Sequence, residues 1–226
     1  AETLADSLNW WVINVALPAM ALELLPTLQP DRSLWFVVAA QWLLFVLTAL
    51  LCRWLGARLA WTRERIGAVT LLAALSNTAF IGLPLLEALR GSAAVSMGLL
   101  ADQLGCFIAM VVGGAIVTAA YSGERTSGAQ IARKVLSYPA FLAALAGLAV
   151  GALGGWPESI PPVLHRVSQT LAPLALMSVG LQLRLGHFAG NGRNLAIGLL
   201  FKLLLAPLAI FLLYVPLFGA SGQTIQ

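Results

Sequence analysis

The chain has 226 residues, of which 60% are apolar (roughly 136) and only 10% charged, with a net charge of +4 and a mean hydropathy of +0.89. A soluble domain is about 45–50% apolar and about 25% charged, so this composition excludes a soluble enzyme, a disordered segment and a secreted disulfide scaffold. At about 20 apolar residues per membrane helix there is enough for six or seven spans, and the continuous apolar runs exclude the alternation of a β-barrel.

Seven helical runs are expected. Run one is Leu8–Leu28 with Pro18 inside it, and run two is Leu34–Leu51. Run three, Ile66–Leu89, is interrupted by Asn77, Gly82 and Pro84. Run four is Ala93–Tyr121, run five Val135–Leu153 and run six Val163–Leu183 with Pro173. Run seven, Leu195–Phe218, carries Lys202 and Pro207. The connections are short and polar, as in Gln29-Pro30-Asp31-Arg32 and Gly154-Gly155-Trp156-Pro157. Cys52 and Cys106 lie in apolar runs and suggest neither a disulfide nor a metal pair.

Basic residues follow the positive-inside rule. The ends after runs two, four and six hold Arg53, Arg58, Arg63, Arg65, Arg125, Arg133, Lys134, Arg184 and Arg193. The opposite ends hold only Arg32, Arg90 and Arg166. That bias predicts Ala1 on the cytoplasmic side and Gln226 on the extracytoplasmic side. It weighs against receptors and retinal proteins, whose N-terminus is outside, even though Lys202 could imitate a Schiff-base lysine.

Polar residues at membrane depth are costly and mark a bundle interior or a water-filled path. Glu23 either reaches the interface or faces inward. Asp102 and Gln103 are expected to face the bundle. Lys202 either snorkels or pairs with an acid such as Asp102. The strongest signal is Ser76-Asn77-Thr78-Ala79-Phe80-Ile81-Gly82-Leu83-Pro84. Proline removes a backbone donor and collides with the preceding turn, Gly82 loosens that turn, and Asn77 and Thr78 add hydrogen-bonding groups. Broken helices of this kind form midplane binding sites in transporters.

Ala143, Gly147, Gly151 and Gly155 form a small-residue stripe, fit either for packing within the chain or for a dimer interface. Trp10, Trp11, Trp35, Trp54, Trp61 and Trp156 read as interface anchors. His165 and His187 are expected in loops on opposite sides. No G-x-S-x-G, H-E-x-x-H or P-loop is present, so an enzyme is not expected.

Asn77-Thr78-Ala79-Phe80-Ile81-Gly82-Leu83-Pro84 resembles the N-T-x-x-x-G-x-P segment of the auxin efflux carrier family. Val15-Ala16-Leu17-Pro18-Ala19, Gln103, Tyr138-Pro139, Ser178-Val179-Gly180-Leu181 and Phe201-Lys202 with Pro207 resemble further family segments in order. The resemblance implies a bacterial member with an all-α polytopic membrane fold of two inverted five-helix repeats, like that of bile-acid symporters. The chain would hold helices two to eight, incomplete at both ends. Residues 1–28 and 135–183 would be scaffold helices. Residues 33–121, with the broken helix 66–89, and 194–218 would belong to a moving transport domain.

The expected function is secondary transport of a small organic anion by elevator-type alternating access. Asn77, Thr78, Gly82 and Pro84 would form the substrate site. Asp102, Gln103 and Lys202 would form an ion or proton support site. No cofactor or metal is expected, with coupling by H+ or Na+. Partners would be the lipid bilayer of the bacterial inner membrane and a second copy through the scaffold helices, with no nucleic acid. The rival readings are a sodium-coupled bile-acid-type symporter and a non-transporting membrane receptor or interaction subunit.

Overall fold

A computed structural model describes residues 2–28, 32–122, 127–183 and 199–214. Residues 29–31, Arg125, Arg184, His187, Arg193, the outer parts of run seven, and both termini lie outside the described residues. The described chain is entirely helical. Its helices are α1 (Glu2–Trp11), α2 (Leu17–Leu24), α3 (Arg32–Arg58), α4 (Arg63–Ala74), α5 (Leu83–Arg90), α6 (Ser92–Leu100) and α7 (Gly114–Tyr121). They continue with α8 (Gly128–Leu136), α9 (Pro139–Ala152), α10 (Pro161–Ser168), α11 (Leu171–Gln182) and α12 (Ala206–Ala209). Wide π turns join several of them into longer rods, at Val12–Ala16, Thr78–Gly82, Ala101–Phe107, Ala109–Gly113, Phe201–Leu205 and Ile210–Tyr214.

Four helical rods are long and apolar enough to cross a membrane: Thr3–Thr27, Trp35–Arg58, Arg63–Arg90 and Ala94–Tyr121. They match runs one to four. A fifth span results if α8 and α9 are counted together across their 67° bend. The protein is thus a polytopic membrane protein with four or five such spans among its described residues, where seven runs were read from the sequence.

The differences have local causes. Run five was read as one helix from Val135, but the ring of Pro139 disfavours the α conformation at the residue before it. Tyr138 is accordingly extended, at φ −84° and ψ 113°, and α9 starts afresh at Pro139. Run six divides at Gln169–Thr170. Pro173 cannot donate to the carbonyl four residues back, and the Thr170 hydroxyl bonds to the Val167 carbonyl at 2.7 Å. Side-chain competition of this kind ends or bends helices. Each resulting piece, at 8 and 12 residues, is too short to cross alone.

The chain forms two compact units. One comprises Ala1–Asp31, Asn77–Leu104 and Arg133–Leu183, and the other Arg32–Ser76, Gly105–Ala132 and Arg184–Gln226.

In the first unit, α2 packs against α9 and α10, and α1 against α11. The small-residue stripe accounts for the first contact. A Cβ on Gly147 would stand 2.7 Å from the Ala21 carbonyl oxygen, and one on Gly151 would stand 2.7 Å from that of Pro26. The glycines therefore let two backbones touch, and their face is used within the chain. Trp156 does more than mark an interface. Pro26 cannot donate to the Leu22 carbonyl four residues earlier, and the Trp156 indole N–H supplies that bond at 2.7 Å. Trp156→Phe strands the carbonyl and is expected to cost about 1–2 kcal/mol, read as a lower melting temperature in detergent.

Glu23 is held inside this unit as well. Its carboxylate faces His165 Nδ1 at 2.6 Å and accepts from the Ser168 hydroxyl. His165 thus sits on α10 and not in a loop. At the other end of the unit, Ser178 is fully buried and donates to Asn9 Oδ1 at 2.5 Å, tying α11 to α1.

In the second unit, α3 lies along α4 and α4 along α7. Phe45, Ala109 and Val117 form its core, with Trp42, Leu71 and Tyr121 around them. Gly113 lies flush against the Phe45 ring, where a Cβ would come within 2.5 Å.

Candidate functional site

The span Arg63–Arg90 breaks where its polar residues begin. After α4, Leu75 turns extended at φ −89° and ψ 136°. Asn77 takes an intermediate conformation at φ −86° and ψ 69°, and helix resumes at Thr78. A break inside a span leaves unpaired carbonyls on the first half and unpaired N–H groups on the second. In lipid each of these must find a partner within the protein.

The second half begins in the first unit. The Asn77 side chain accepts from the Phe80 N–H at 3.3 Å, as an N-cap. The Asn77 carbonyl takes the Gly82 N–H at 3.1 Å, five residues on, which makes Thr78–Gly82 a wide π turn. The interruption expected at Gly82 and Pro84 is therefore not an unwound stretch. The wider turn absorbs the proline, and Pro84 sits buried in the first turn of α5. The unwound residues are 75–77, upstream of both. A Cβ on Gly82 would meet only ordinary contacts, 3.6 Å from the Asn77 carbonyl, so space does not require glycine there.

Thr78 leads to the acid. Its hydroxyl donates to Asp102 Oδ1, and Gln103 Nε2 donates to Asp102 Oδ2 at 2.7 Å. Asp102 is 6% exposed and Gln103 is fully buried. Both face inward, as expected from their depth. Gln103 Oε1 is buried with no hydrogen-bond partner among the described residues. Tyr138 stands within electrostatic reach of the Asp102 carboxylate. Sequence reasoning noted Tyr138 only as the residue before a helix-starting proline. Its neighbourhood to Asp102 has no signal in local spacing.

The first half ends in the second unit. Lys202 Nζ donates to the Leu75 carbonyl, and the Cys106 thiol donates to the Ser76 carbonyl at 3.4 Å. A cation at a helix C-terminus is favourable in the field of the aligned peptide dipoles. Lys202 and Ser76 also line a cavity of about 300 Å³, whose walls include Phe36, Gln41, Phe201 and Pro207. Gly105 admits Gln41 to this region, since a Cβ there would stand 2.8 Å from the Gln41 side chain. Asn77, Thr78, Asp102 and Gln103 thus come together in one unit, and Lys202 serves the broken helix in the other. Cys52 and Cys106 are both free and buried.

The arrangement places a buried carboxylate and its polar partners at a break inside an apolar span. The sequence profile of a family described as membrane transport protein matches residues 2–225. No curated protein matches the chain. The matching family is one of transporters, not of enzymes. The chain belongs to this membrane transport protein family, that of the auxin efflux carriers.

Proposed function

We propose that the protein is a secondary active carrier of a small organic anion, working by elevator-type alternating access. The observation that carries this reading is the break at residues 75–77 inside a membrane span, with a dedicated polar partner for each exposed helix end. An unwound stretch at that depth is tolerated where it lines a path or is covered by protein. The second half-helix presents its positive end there, which favours an anion. Asn77 and Thr78 would contact the substrate, and Gly82 with Pro84 would set the wide turn that follows.

Asp102 and Gln103 would form the ion or proton support site. The unpartnered Gln103 oxygen supports this role. If Asp102 takes up a proton, a half-turn of the Gln103 amide lets that oxygen accept it. The charge change is then stored in one rotamer. Coupling would use H+ or Na+. Lys202 would hold the first half-helix closed at its carbonyl end.

On the same reading, residues 1–28 and 135–183 would be the scaffold and residues 33–121 and 194–218 the transport domain. The protein would sit in a bacterial inner membrane with Ala1 cytoplasmic, and could pair with a second copy through the scaffold.

Uptake into proteoliposomes by the full-length carrier tests the site. Asn77→Ala removes the cap and a substrate contact, and transport is expected to fall at least about tenfold, the worth of a charge-assisted hydrogen bond. Unchanged rates in both Asn77→Ala and Pro84→Ala would remove the assignment. Binding without accumulation would make the protein a receptor, and strict sodium dependence would favour the bile-acid-type mechanism.

A further inference from the structure

Away from the broken helix, the second unit holds a basic cavity where the span Trp35–Arg58 ends and the span Arg63–Arg90 begins. The turn between them is tight. The Trp61 N–H bonds to the Gly56 carbonyl at 2.9 Å, a six-to-one closure of the Schellman type. Ala60 takes the left-handed position at φ 51°, which glycine usually fills. A cavity of about 460 Å³ opens beside this turn, walled by Arg53, Arg63, Trp61, Ile66 and Tyr121.

Its charge is one-sided. Between residues 53 and 66 stand four arginines and a single acid, Glu64, in the first turn of α4. Three of the arginines are held in place. Arg63 donates to the Ala120 carbonyl at 2.7 Å, using one of its five donors. Arg58 lies over the Trp54 ring at 5.3 Å and Arg65 over the Trp61 ring at 4.9 Å. Membrane topology alone accounts for a positive loop, but not for a walled cavity that draws Arg63 against a helix 57 residues further on.

We propose that this cavity binds the headgroup of an anionic phospholipid. The phosphate would lie between Arg53 and Arg63, and the glycerol and first acyl carbons would lie against Trp61, Ile66 and Tyr121. Two observations select a lipid over a soluble phosphate. The cavity stands at the ends of two spans, at headgroup depth. Its wall is mostly apolar, and a free anion would leave that part uncovered. Basic pockets at such positions are suited to anionic headgroups.

The test uses the whole protein, purified in uncharged detergent and titrated with dioleoylphosphatidylglycerol or dioleoylphosphatidylcholine. Bound lipid is read by native mass spectrometry. The phosphatidylglycerol is expected to be retained in preference. Arg53→Gln with Arg63→Gln should lower its retention at least about tenfold, from about fivefold per arginine. Arg58→Gln with Arg65→Gln removes the same charge outside the cavity and should change retention less than about twofold. Equal losses in the two pairs, or equal retention of the phosphatidylcholine, would overturn the proposal. Competition by millimolar inorganic phosphate would reassign the site to a soluble anion and also overturn it. Should the double variant fail to fold, Arg53→Gln alone keeps the Arg63 bond to α7. It should still lose about fivefold, with Arg53→Lys restoring most of it, and no loss would overturn the assignment.

Discussion

Asp102→Asn is expected to leave the protein folded and to cut its coupled transport at least about tenfold. The reasoning starts from the hydrogen bonds. Asparagine keeps the oxygen that accepts from Thr78. Its amide nitrogen faces the Gln103 amide nitrogen, two donors in conflict. Gln103 resolves this by turning over, because its oxygen is buried and unpartnered. The new amide then donates to that oxygen, and the one buried group left without a partner is the Gln103 nitrogen in place of its oxygen. Folding is therefore preserved while the titrating group is gone. Asp102→Ala differs, since it leaves the buried Gln103 amide and the part-buried Thr78 hydroxyl without acceptors, at about 1–3 kcal/mol for the buried one. The pair separates charge from architecture. Equal melting of wild type and Asp102→Asn, with uptake lost only in the variant, is the expected pattern. Full uptake by Asp102→Asn would show that the carboxylate carries no coupling charge.

The second large effect concerns stability. Gly147→Leu is expected to lower stability by about 3 kcal/mol, and Gly147→Ala by about 1–3 kcal/mol. Both must push α9 off the α2 backbone, because even the first side-chain carbon meets a carbonyl oxygen at 2.7 Å. Backbone cannot step aside as a flexible side chain can. Gly180→Ala is the control, since nothing stands within 4 Å of its added carbon. Thermal melting of the purified protein in detergent should therefore separate the two positions clearly. A Gly147→Ala variant as stable as Gly180→Ala would mean that the helices are not in contact.

Much of this was legible in the chain. Long apolar runs have few alternatives, so runs one to four matched spans within a few residues at most ends. Depth in an apolar run was enough to send Asp102 and Gln103 inward. Other features depend on partners far away in sequence, which no local pattern reveals. The Leu22 carbonyl needs Trp156 because of Pro26, yet only folding brings those residues together. Glu23 was ambiguous for the same reason, until α10 supplied His165 and Ser168. The interruption was read at Asn77, Gly82 and Pro84, and of these only Asn77 lies in the unwound stretch. A π turn can take up a proline, whereas the end of α4 is set by how Lys202 and Cys106 satisfy its last carbonyls. Runs five and six were read as continuous because apolar composition conceals what a proline does, to the residue before it at Tyr138 and to the carbonyl four residues back at Gln169.

The π turns carry a consequence for how such a chain can change over generations. Each turn of this kind holds about one residue more than an α turn. Six occur among the described residues, including Ala101–Phe107, which bears Asp102. Losing one residue there would restore an α turn, shift the side chains within the turn, and leave all that follows facing as before. Gaining one elsewhere could build a new wide turn and re-aim a polar side chain without breaking the rod. Insertions and deletions of a single residue are thus a graded way for these spans to redirect a site. Alignments of related chains should allow one-residue gaps inside the membrane segments, where gaps are ordinarily forbidden.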